Sequence, residues 1–254
     1  MQIIATGSIA YDYLMRFPGK FTEHLLAEHL HQVSLSFLVD EMSKHWGGVA
    51  ANIAYSMALL GLRPRLMGTA GRDFAEYRRW LESVGVDCST VRVIEDVFTA
   101  SFFCNTDIEN NQIASFYAGA MGLAGDYTLA DARVSNPDLV IVSPNDPRAM
   151  TNLIEECRTK GYRFIYDPSQ QVPRLSGEEL SRDMRGAHAM IVNAYEAEVI
   201  GQKTGMSLDA IRQQVDILVI THGPRGSTIY DNRSAPNLSS SASDDFAQVE
   251  AFPA

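Results

Sequence analysis

Cysteine is scarce in this sequence, and the few residues present do not form pairs. Cys88, Cys104 and Cys157 are far apart and form no Cys-x-x-Cys motif. A disulfide framework or a zinc site is therefore not expected, and a reducing cytosolic setting is the simpler one. Each thiol is more typical of a small buried side chain than of a catalytic nucleophile.

Long apolar runs and a basic leader are also missing. No apolar stretch approaches the length of a membrane span. The first residues have no basic segment followed by an apolar one, as a signal peptide would. We therefore expect a cytoplasmic protein that has no contact with a membrane.

Positive charge is in deficit. Lys and Arg number 21 against 31 Asp and Glu, which gives the 254 residues a formal net charge of −10. Duplex nucleic acid is bound by clustered basic side chains, so we do not expect it as a partner. The six histidines are scattered, and even the close pair His29 and His31 is not expected to hold a metal.

What the sequence does contain is an alternation of short apolar runs and amphipathic helical runs. It predicts an α/β fold, a mostly parallel sheet with helices on both faces. Residues 32–40 and 99–116 have strand composition without intervening helices, and predict antiparallel strands in a small β-lid outside that sheet. A last strand is predicted at 248–252, after a Ser-rich loop. The strands of the main sheet are predicted at residues 2–6, 65–69, 139–143, 163–166, 189–192 and 217–221, and helices at 49–60, 74–84 and 147–160.

Two short motifs carry polar groups suited to ligand binding. Gly47 and Gly48 precede a small-residue helix, and Asn52 lies one turn into it, where its amide can both donate and accept. Asp12 follows the first predicted strand and Gly7-Ser8, so that its carboxylate could accept from two neighbouring hydroxyls. The alternatives are a tight turn with a solvated Asn52, and a capping role for Asp12.

The first of these motifs has a recognisable spacing. Gly47-Gly48-x-x-x-Asn52, followed by Gly61 and Gly71, resembles the first signature of the ribokinase-like (PfkB) carbohydrate kinase family. Up to about Gly226, the chain is similar to bacterial adenosine kinases of ribokinase type. The stretches that carry this second similarity are residues 14–19, 31–40, 112–117 and 167–171.

The resemblance implies a fold, a reaction and a domain plan. It implies transfer of the γ-phosphoryl group of ATP to the 5′-hydroxyl of adenosine, as in purine salvage, by a cytoplasmic homodimer. It also implies one ribokinase-like domain over residues 1–254, with lid strands at approximately 13–45 and 98–118. The alternatives are a sugar kinase of the same family and a nucleoside-binding protein without catalysis, and a ligand panel would distinguish them.

The resemblance also assigns roles to residues of the nucleoside site. Asp12 and Asn52 would hold the ribose, and Phe102 and Phe116 would sandwich the adenine, although phenylalanines in strands are more often core residues. The remaining substrate residues are Ser8, Gly47 and Gly48 near the ribose, Gln170 and Gln171 as polar contacts, and Ser36 and Phe37 on the lid, which would reach the partner subunit's site.

The implied ATP site lies later in the chain. Asn193 and Glu196 match the family's Asn-x-x-Glu motif, in which Glu196 would bind magnesium indirectly through water. The alternative is that the two residues cap the start of a helix, and the capping role and the magnesium role are compatible. Thr221, Gly223 and Gly226 resemble the family's nucleotide-binding turn, although any strand-to-hairpin turn can have such glycines.

One expected element is absent from this sequence. The family's catalytic base is the Asp of a Gly-x-Gly-Asp segment, and no such segment occurs here. We expect that Asp beyond Ala254, and therefore expect a truncated, inactive chain with an uncovered apolar sheet face.

Overall fold

The strands form two sheets. The computed structural model describes residues 1–24, 34–234, 246–249 and 251. In chain order the strands are β1 (Ile3–Thr6), β2 (Ala10–Arg16), β3 (Glu41–Gly47), β4 (Arg65–Gly71), β5 (Asp87–Ile94), β6 (Ala100–Thr106), β7 (Gln112–Tyr117), β8 (Leu139–Val142), β9 (Phe164–Tyr166), β10 (Ala189–Asn193), β11 (Ile217–Thr221), β12 (Ser227–Asp231) and β13 (Phe246–Val249).

The larger sheet has the order β13-β12-β11-β10-β9-β8-β1-β4-β5. Its strands from β11 to β5 are parallel to their neighbours, whereas β12 and β13 pair antiparallel at one edge. The predicted parallel α/β sheet is confirmed. The helices are α1 (Val49–Leu59), α2 (Ala75–Ser83), α3 (Pro147–Lys160), α4 (Gly177–Met184), α5 (Ala194–Thr204) and α6 (Leu208–Arg212).

Helices pack on both faces of this sheet, which explains why central strands such as β1 and β8 are almost continuously apolar. Neighbouring residues of β1 belong to different cores: Ile4 packs with α3 residues such as Ile154, and Ala5 packs with α1 residues such as Ala54. Successive side chains of a strand point to opposite faces, so a strand covered on both sides buries all of them. Every residue of β1 is buried.

The smaller sheet has the order β3-β2-β6-β7 and stands outside the larger one. β2 pairs antiparallel with β3 and parallel with β6, and β6 pairs antiparallel with β7. The antiparallel strands predicted within residues 99–116 are therefore confirmed as β6 and β7.

The strand predicted at residues 32–40 is wrong for the described part, residues 34–40, which contains no strand; residues 32 and 33 lie outside the described residues. The partner of β2 is instead β3, whose side chains are polar because most of them are exposed. The apolar alternation of 34–40 has another cause: the Phe37 ring packs against Phe17 and Phe21, whereas Leu38 is exposed.

The last described strand begins earlier than predicted, since β13 covers Phe246–Val249. The predicted strand end at 252 lies outside the described residues. Within the described ranges, no helix has both the length and the apolar character required to cross a membrane.

Candidate functional site

A cavity of about 550 Å³ lies where the carboxyl ends of the parallel strands meet the smaller sheet. This is the edge at which ligands of open α/β sheets bind. Its walls come from the β1–β2 connection, the start of α1, β6, β7 and the loops after β8 and β9. The lining residues are Ser8, Ala10, Asp12, Gly48, Val49, Asn52, Phe102, Phe116, Met121, Pro144, Gln170, Gln171 and Arg174.

The Gly47–Gly48 pair lets the start of α1 and the β1–β2 connection approach closely at one end of the cavity. Gly48 has φ +92°, and a Cβ there would lie 2.5 Å from the carbonyl oxygen of Ser8. A Cβ at Gly47 would lie 2.5 Å from a carboxylate oxygen of Asp12. The backbone N–H of Val49 donates to Ser8 Oγ at 2.9 Å, which holds the start of α1 against the β1–β2 connection. Both positions therefore leave no room for a Cβ atom, so glycine is required there whether or not a ligand binds.

Asp12 and Asn52 present unpaired polar groups to the cavity. Among the described residues, neither side chain has a hydrogen-bond partner. Asp12 is the third residue of β2, so it lies on the smaller sheet and not directly at the end of β1, where the sequence had placed it. Burial raises the pKa of its carboxyl, and His45, directly opposite on β3, partly offsets this shift. The pair can accept from and donate to ligand hydroxyls without giving up protein hydrogen bonds.

Phe102 and Phe116 form an apolar wall. They are direct cross-strand partners on β6 and β7, so their side chains lie side by side on the cavity face of the smaller sheet. Phe116 is 49% exposed, so the alternative interpretation as a core residue is wrong for it. An exposed aromatic wall is suited to the face of a flat, apolar ring.

The loop after β9 supplies the opposite polar wall. Ser169 has a left-handed φ of +41°, which turns the chain into a short 3₁₀ helix that ends at Gln171. Gln171 is buried and donates from Nε2 to the Asn145 carbonyl oxygen at 2.8 Å, while its Oε1 has no partner in the described structure. Gln170 is exposed and lines the cavity. The two amides therefore differ: Gln171 anchors the loop and Gln170 is exposed to the cavity.

Several lining residues were not found from the sequence. Ala10, Val49, Met121 and Pro144 carry no functional group that could have marked them. Arg174 does, because it is the one positively charged side chain among the lining residues. It falls three residues after the Gln170-Gln171 motif, and that proximity was the available signal.

Three predicted substrate residues do not line this cavity: Gly47, which is buried beside Asp12, and the lid residues Ser36 and Phe37. Ser36 is exposed, and the Phe37 ring packs in a cluster of its own chain, with ring centroids 5.0 Å from Phe17 and 4.8 Å from Phe21. Their predicted role in a partner subunit's site stays a prediction.

The residues predicted for nucleotide binding lie at the ends of neighbouring strands of the larger sheet. Asn193 ends β10 and caps α5: its Oδ1 accepts from the Glu196 N–H, and Glu196 Oε2 accepts from the Asn193 N–H, each at 2.8 Å. This capping box leaves Glu196 Oε1 without a hydrogen bond from the described residues. The capping interpretation of Asn193 and Glu196 is confirmed, and it leaves one carboxylate oxygen available.

Thr221 ends β11, and a tight turn follows it. Gly223 has φ +59°, and a Cβ there would meet no atom within 4 Å, so its left-handed backbone alone favours glycine. Gly226 has φ +84°, and a Cβ there would collide with the carbonyl oxygen of Val249 on β13. Gly226 is therefore needed for packing against β13, whatever it binds.

A second carboxylate lies near Glu196. Asp167 follows β9, and burial together with the negative charge of Glu196 raises the pKa of its carboxyl to about 7. In the described ranges no group of three or more His, Cys, Asp or Glu side chains is arranged to hold a metal ion. A cation at this edge would therefore need ligands besides these two carboxyl groups.

Comparison with known proteins agrees with this architecture. The chain is 30% identical over 255 residues to the nucleoside kinase of Methanothermobacter thermautotrophicus, an alignment that covers 99% of this chain and 75% of that protein. The structure of Burkholderia thailandensis nucleoside kinase in complex with inosine superposes with a TM-score of 0.77 at 37% identity, covering 100% of this chain and 77% of that one. The same protein in complex with ADP-inosine superposes with a TM-score of 0.75 at 37% identity, covering 100% and 76%.

The family assignment depends on nearly the whole sequence. The family model described as pfkB family carbohydrate kinase matches residues 7–254. This range contains the Gly47–Gly48 turn, the smaller sheet and the larger-sheet strands from β4 onward, including β8 and β9. The chain therefore belongs to the PfkB family of carbohydrate kinases and has the ribokinase-like fold.

Proposed function

We propose that this chain carries the nucleoside site of a nucleoside kinase, in which the γ-phosphoryl group of ATP is transferred to a 5′-hydroxyl. The observation that supports this most strongly is the combination of unpaired Asp12 and Asn52 at one end of the cavity with the Phe102 and Phe116 wall. The hydroxyls of a ribose would pair with Asp12 and Asn52, and a flat base would stack on the phenylalanine wall. The balanced reaction is ATP plus nucleoside giving ADP, nucleoside 5′-monophosphate and a proton.

Adenosine is the proposed acceptor. The sequence stretches shared with bacterial adenosine kinases support it, and the exposed Phe116 ring provides stacking area for a purine. The B. thailandensis protein in complex with inosine makes a 6-oxopurine nucleoside the second candidate. A free sugar is a weaker candidate, because it would leave the aromatic wall uncovered.

ATP with Mg²⁺ is the proposed phosphoryl donor, bound by Asn193, Glu196, Thr221, Gly223 and Gly226. The free Oε1 of Glu196 and the neighbouring Asp167 carboxyl support a cation near this edge. It would be held through its water ligands, since the described carboxylates are too few to enclose it. When bound, the ion would offset negative charge on the phosphates. Asn193 and Glu196 would keep the start of α5 directed towards them.

This sequence contains no Gly-x-Gly-Asp segment, and we propose that the 254-residue chain binds nucleoside but transfers phosphoryl groups poorly. The 5′-hydroxyl must lose a proton during transfer, and Asp12 is the one carboxylate among the lining residues. Asp12 is proposed to be engaged with the ribose hydroxyls. A transfer assay with Mg-ATP and adenosine should then give only traces of AMP.

The remaining proposals concern assembly and setting. We propose that residues 1–254 form one ribokinase-like domain, with lid segments approximately at 13–45 and 98–118. Two copies would form a homodimer through the smaller sheet, with Ser36 and Phe37 directed at the partner subunit. Exposed apolar side chains on and beside that sheet, such as Leu38, Met42 and Ile113, support such an interface. Three free, buried cysteines support a cytoplasmic setting. A role in purine salvage there is proposed from the adenosine assignment alone.

A ligand panel tests the proposed function. The purified chain is titrated calorimetrically with adenosine, inosine, cytidine and ribose, after circular dichroism has shown that it is folded. We expect saturable heats for purine nucleosides and none for ribose at the same concentrations. Binding of ribose alone would indicate a sugar site, and no binding by the folded chain would refute the nucleoside site.

A further inference from the structure

Arg174 is an unpaired cation in a cavity whose other lining side chains are neutral, apart from Asp12. It is exposed, it lines the cavity, and its guanidinium forms no hydrogen bond or ion pair with any described residue. The other charged lining residue is Asp12. An arginine that lies free inside a cavity is available to an anionic ligand, because its guanidinium carries a permanent positive charge and five N–H donors.

The backbone that carries Arg174 is held in place. The Arg174 N–H donates to the Gln171 carbonyl oxygen at 2.9 Å, and the next residue, Leu175, is buried. From the other side, Lys203 Nζ donates to the carbonyl oxygens of Val172, Pro173 and Leu175 at 3.1, 2.7 and 2.7 Å. Arg174 therefore projects from a fixed loop, and only its own side chain has to be ordered by a ligand.

The position of this loop in the sheet is between the two proposed sites. The strand order β11-β10-β9-β8-β1 puts β9 between the strands whose ends carry Asn193 and Thr221 and those that lead to Ser8 and Pro144. Neighbouring strands lie about 4.8 Å apart, so β1 and β10 are roughly 14 Å apart. A phosphoryl group that passes from one site to the other must cross the edge from which the β9 loop emerges.

We propose that Arg174 binds the phosphoryl group during its transfer, and afterwards the 5′-phosphate of the product; this inference rests on the proposed function. In the reaction the bond from the γ-phosphorus to the bridging oxygen of ADP breaks, and that oxygen keeps the electron pair. A bond from the nucleoside 5′-oxygen to phosphorus forms, and the hydroxyl proton is released to solvent. The guanidinium stays protonated throughout and supplies paired N–H donors to the phosphoryl oxygens.

This assignment explains why the side chain has no protein partner. The nucleoside is neutral, so its binding does not need a cation, whereas the transferred group carries negative charge throughout. A carboxylate paired with Arg174 would have to be displaced in every cycle. An exposed, unpaired guanidinium on a fixed loop meets the phosphoryl group without such a competitor.

The test compares AMP with adenosine as ligands of the purified full chain. Arg174→Gln removes the charge and keeps a polar side chain, and Arg174→Lys keeps the charge but loses the paired donors. Arg63→Gln is the matched control, because Arg63 is exposed, lies just before the amino end of β4, and does not line the cavity. Circular dichroism verifies that each variant is folded.

We expect Arg174→Gln to weaken AMP binding roughly 10- to 100-fold, the range for lost hydrogen bonds to a charged group, and to change adenosine binding by less than about twofold. Arg174→Lys should recover part of the AMP affinity, and Arg63→Gln should change neither ligand. Equal weakening of both ligands, or unchanged AMP binding, overturns the inference.

The two proposals can fail separately in this experiment. A wild-type chain that binds AMP through Arg174 but does not bind adenosine would refute the proposed function and keep the phosphate assignment. A chain that binds adenosine, and binds AMP equally well with and without Arg174, would keep the function and refute the assignment. A folded chain that binds neither ligand refutes both.

Discussion

Replacing Gly48 by alanine should damage both the fold and the cavity, and a second glycine provides a matched control. Gly48 has φ +92° and Gly61 has φ +84°, so both place an alanine in left-handed backbone. They differ in space: a Cβ at Gly48 would lie 2.5, 2.6 and 2.7 Å from backbone atoms of Ser8, Ala10 and Ile9, whereas a Cβ at Gly61 would meet nothing within 4 Å.

The magnitude follows from these two contributions. Left-handed backbone costs an alanine about 1–2 kcal/mol, and this is the full effect expected for Gly61→Ala. Gly48→Ala adds contact with three backbone atoms of one segment, residues 8–10, which can be relieved only by moving the β1–β2 connection, at about 1–3 kcal/mol more. Because that movement displaces Ser8 and Asp12, adenosine binding should also weaken.

Urea denaturation and calorimetry measure the two effects. We expect the transition midpoint of Gly48→Ala to fall well below that of Gly61→Ala, with an unchanged slope for both. Adenosine affinity should fall only in Gly48→Ala. Equal midpoints and equal affinities in the two variants would refute the role of close backbone approach at Gly48.

Three further predictions follow from described contacts. Asp167 has a folded-state pKa of about 7 against an ordinary 3.8, so the folded state binds its proton more tightly. The free energy of unfolding should therefore fall as pH rises between these values. Asp167→Asn should flatten this pH dependence, as measured by urea denaturation at several pH values. Lys203→Met removes three donor contacts and should lower the free energy of unfolding by about 1–2 kcal/mol, against about 0.5 kcal/mol for Lys160→Met, which loses one surface pair. Tyr77→Phe leaves the buried Gly47 carbonyl without its 2.9 Å donor and should cost about 1 kcal/mol, which thermal unfolding would detect.

The parallel sheet was predictable from the sequence because its strands are buried on both faces. A strand such as β11 is an almost continuous apolar run, and α3 begins at Pro147 after the N-cap Asp146 and ends at Gly161 in left-handed backbone. These local signals agree with the tertiary structure, and the predicted helix boundaries for α3 match. Burial and capping leave direct traces in a sequence.

The smaller sheet was less predictable, because one-sided packing gives a weaker pattern. β3 is polar and mostly exposed, and it is a strand only because it pairs with β2 along its whole length. Conversely, the alternation at residues 34–40 resembled a strand although Phe37 packs in an aromatic cluster. Pairing partners that are distant in sequence decide such segments, and no local composition reports them.

Some residues of the candidate site were predictable from the sequence and others were not. Asp12, Asn52 and Gly48 were found from motif spacing, since polar groups and glycines at fixed intervals are visible in a sequence. Arg174 was missed because its position depends on the β9 loop, which Lys203 fixes from α5. The sequence offered only an indirect signal for Arg174, its position three residues after Gln171.

Calorimetric titration of adenosine into the wild-type chain and into Asp12→Ala tests the central claim most directly, with Asp96→Ala as an exposed control of the same charge. The account predicts saturable binding by the wild type and by Asp96→Ala, and at least about tenfold weaker binding by folded Asp12→Ala. Unchanged affinity in Asp12→Ala, or no binding by the folded wild-type chain, would contradict the nucleoside site proposed for this cavity.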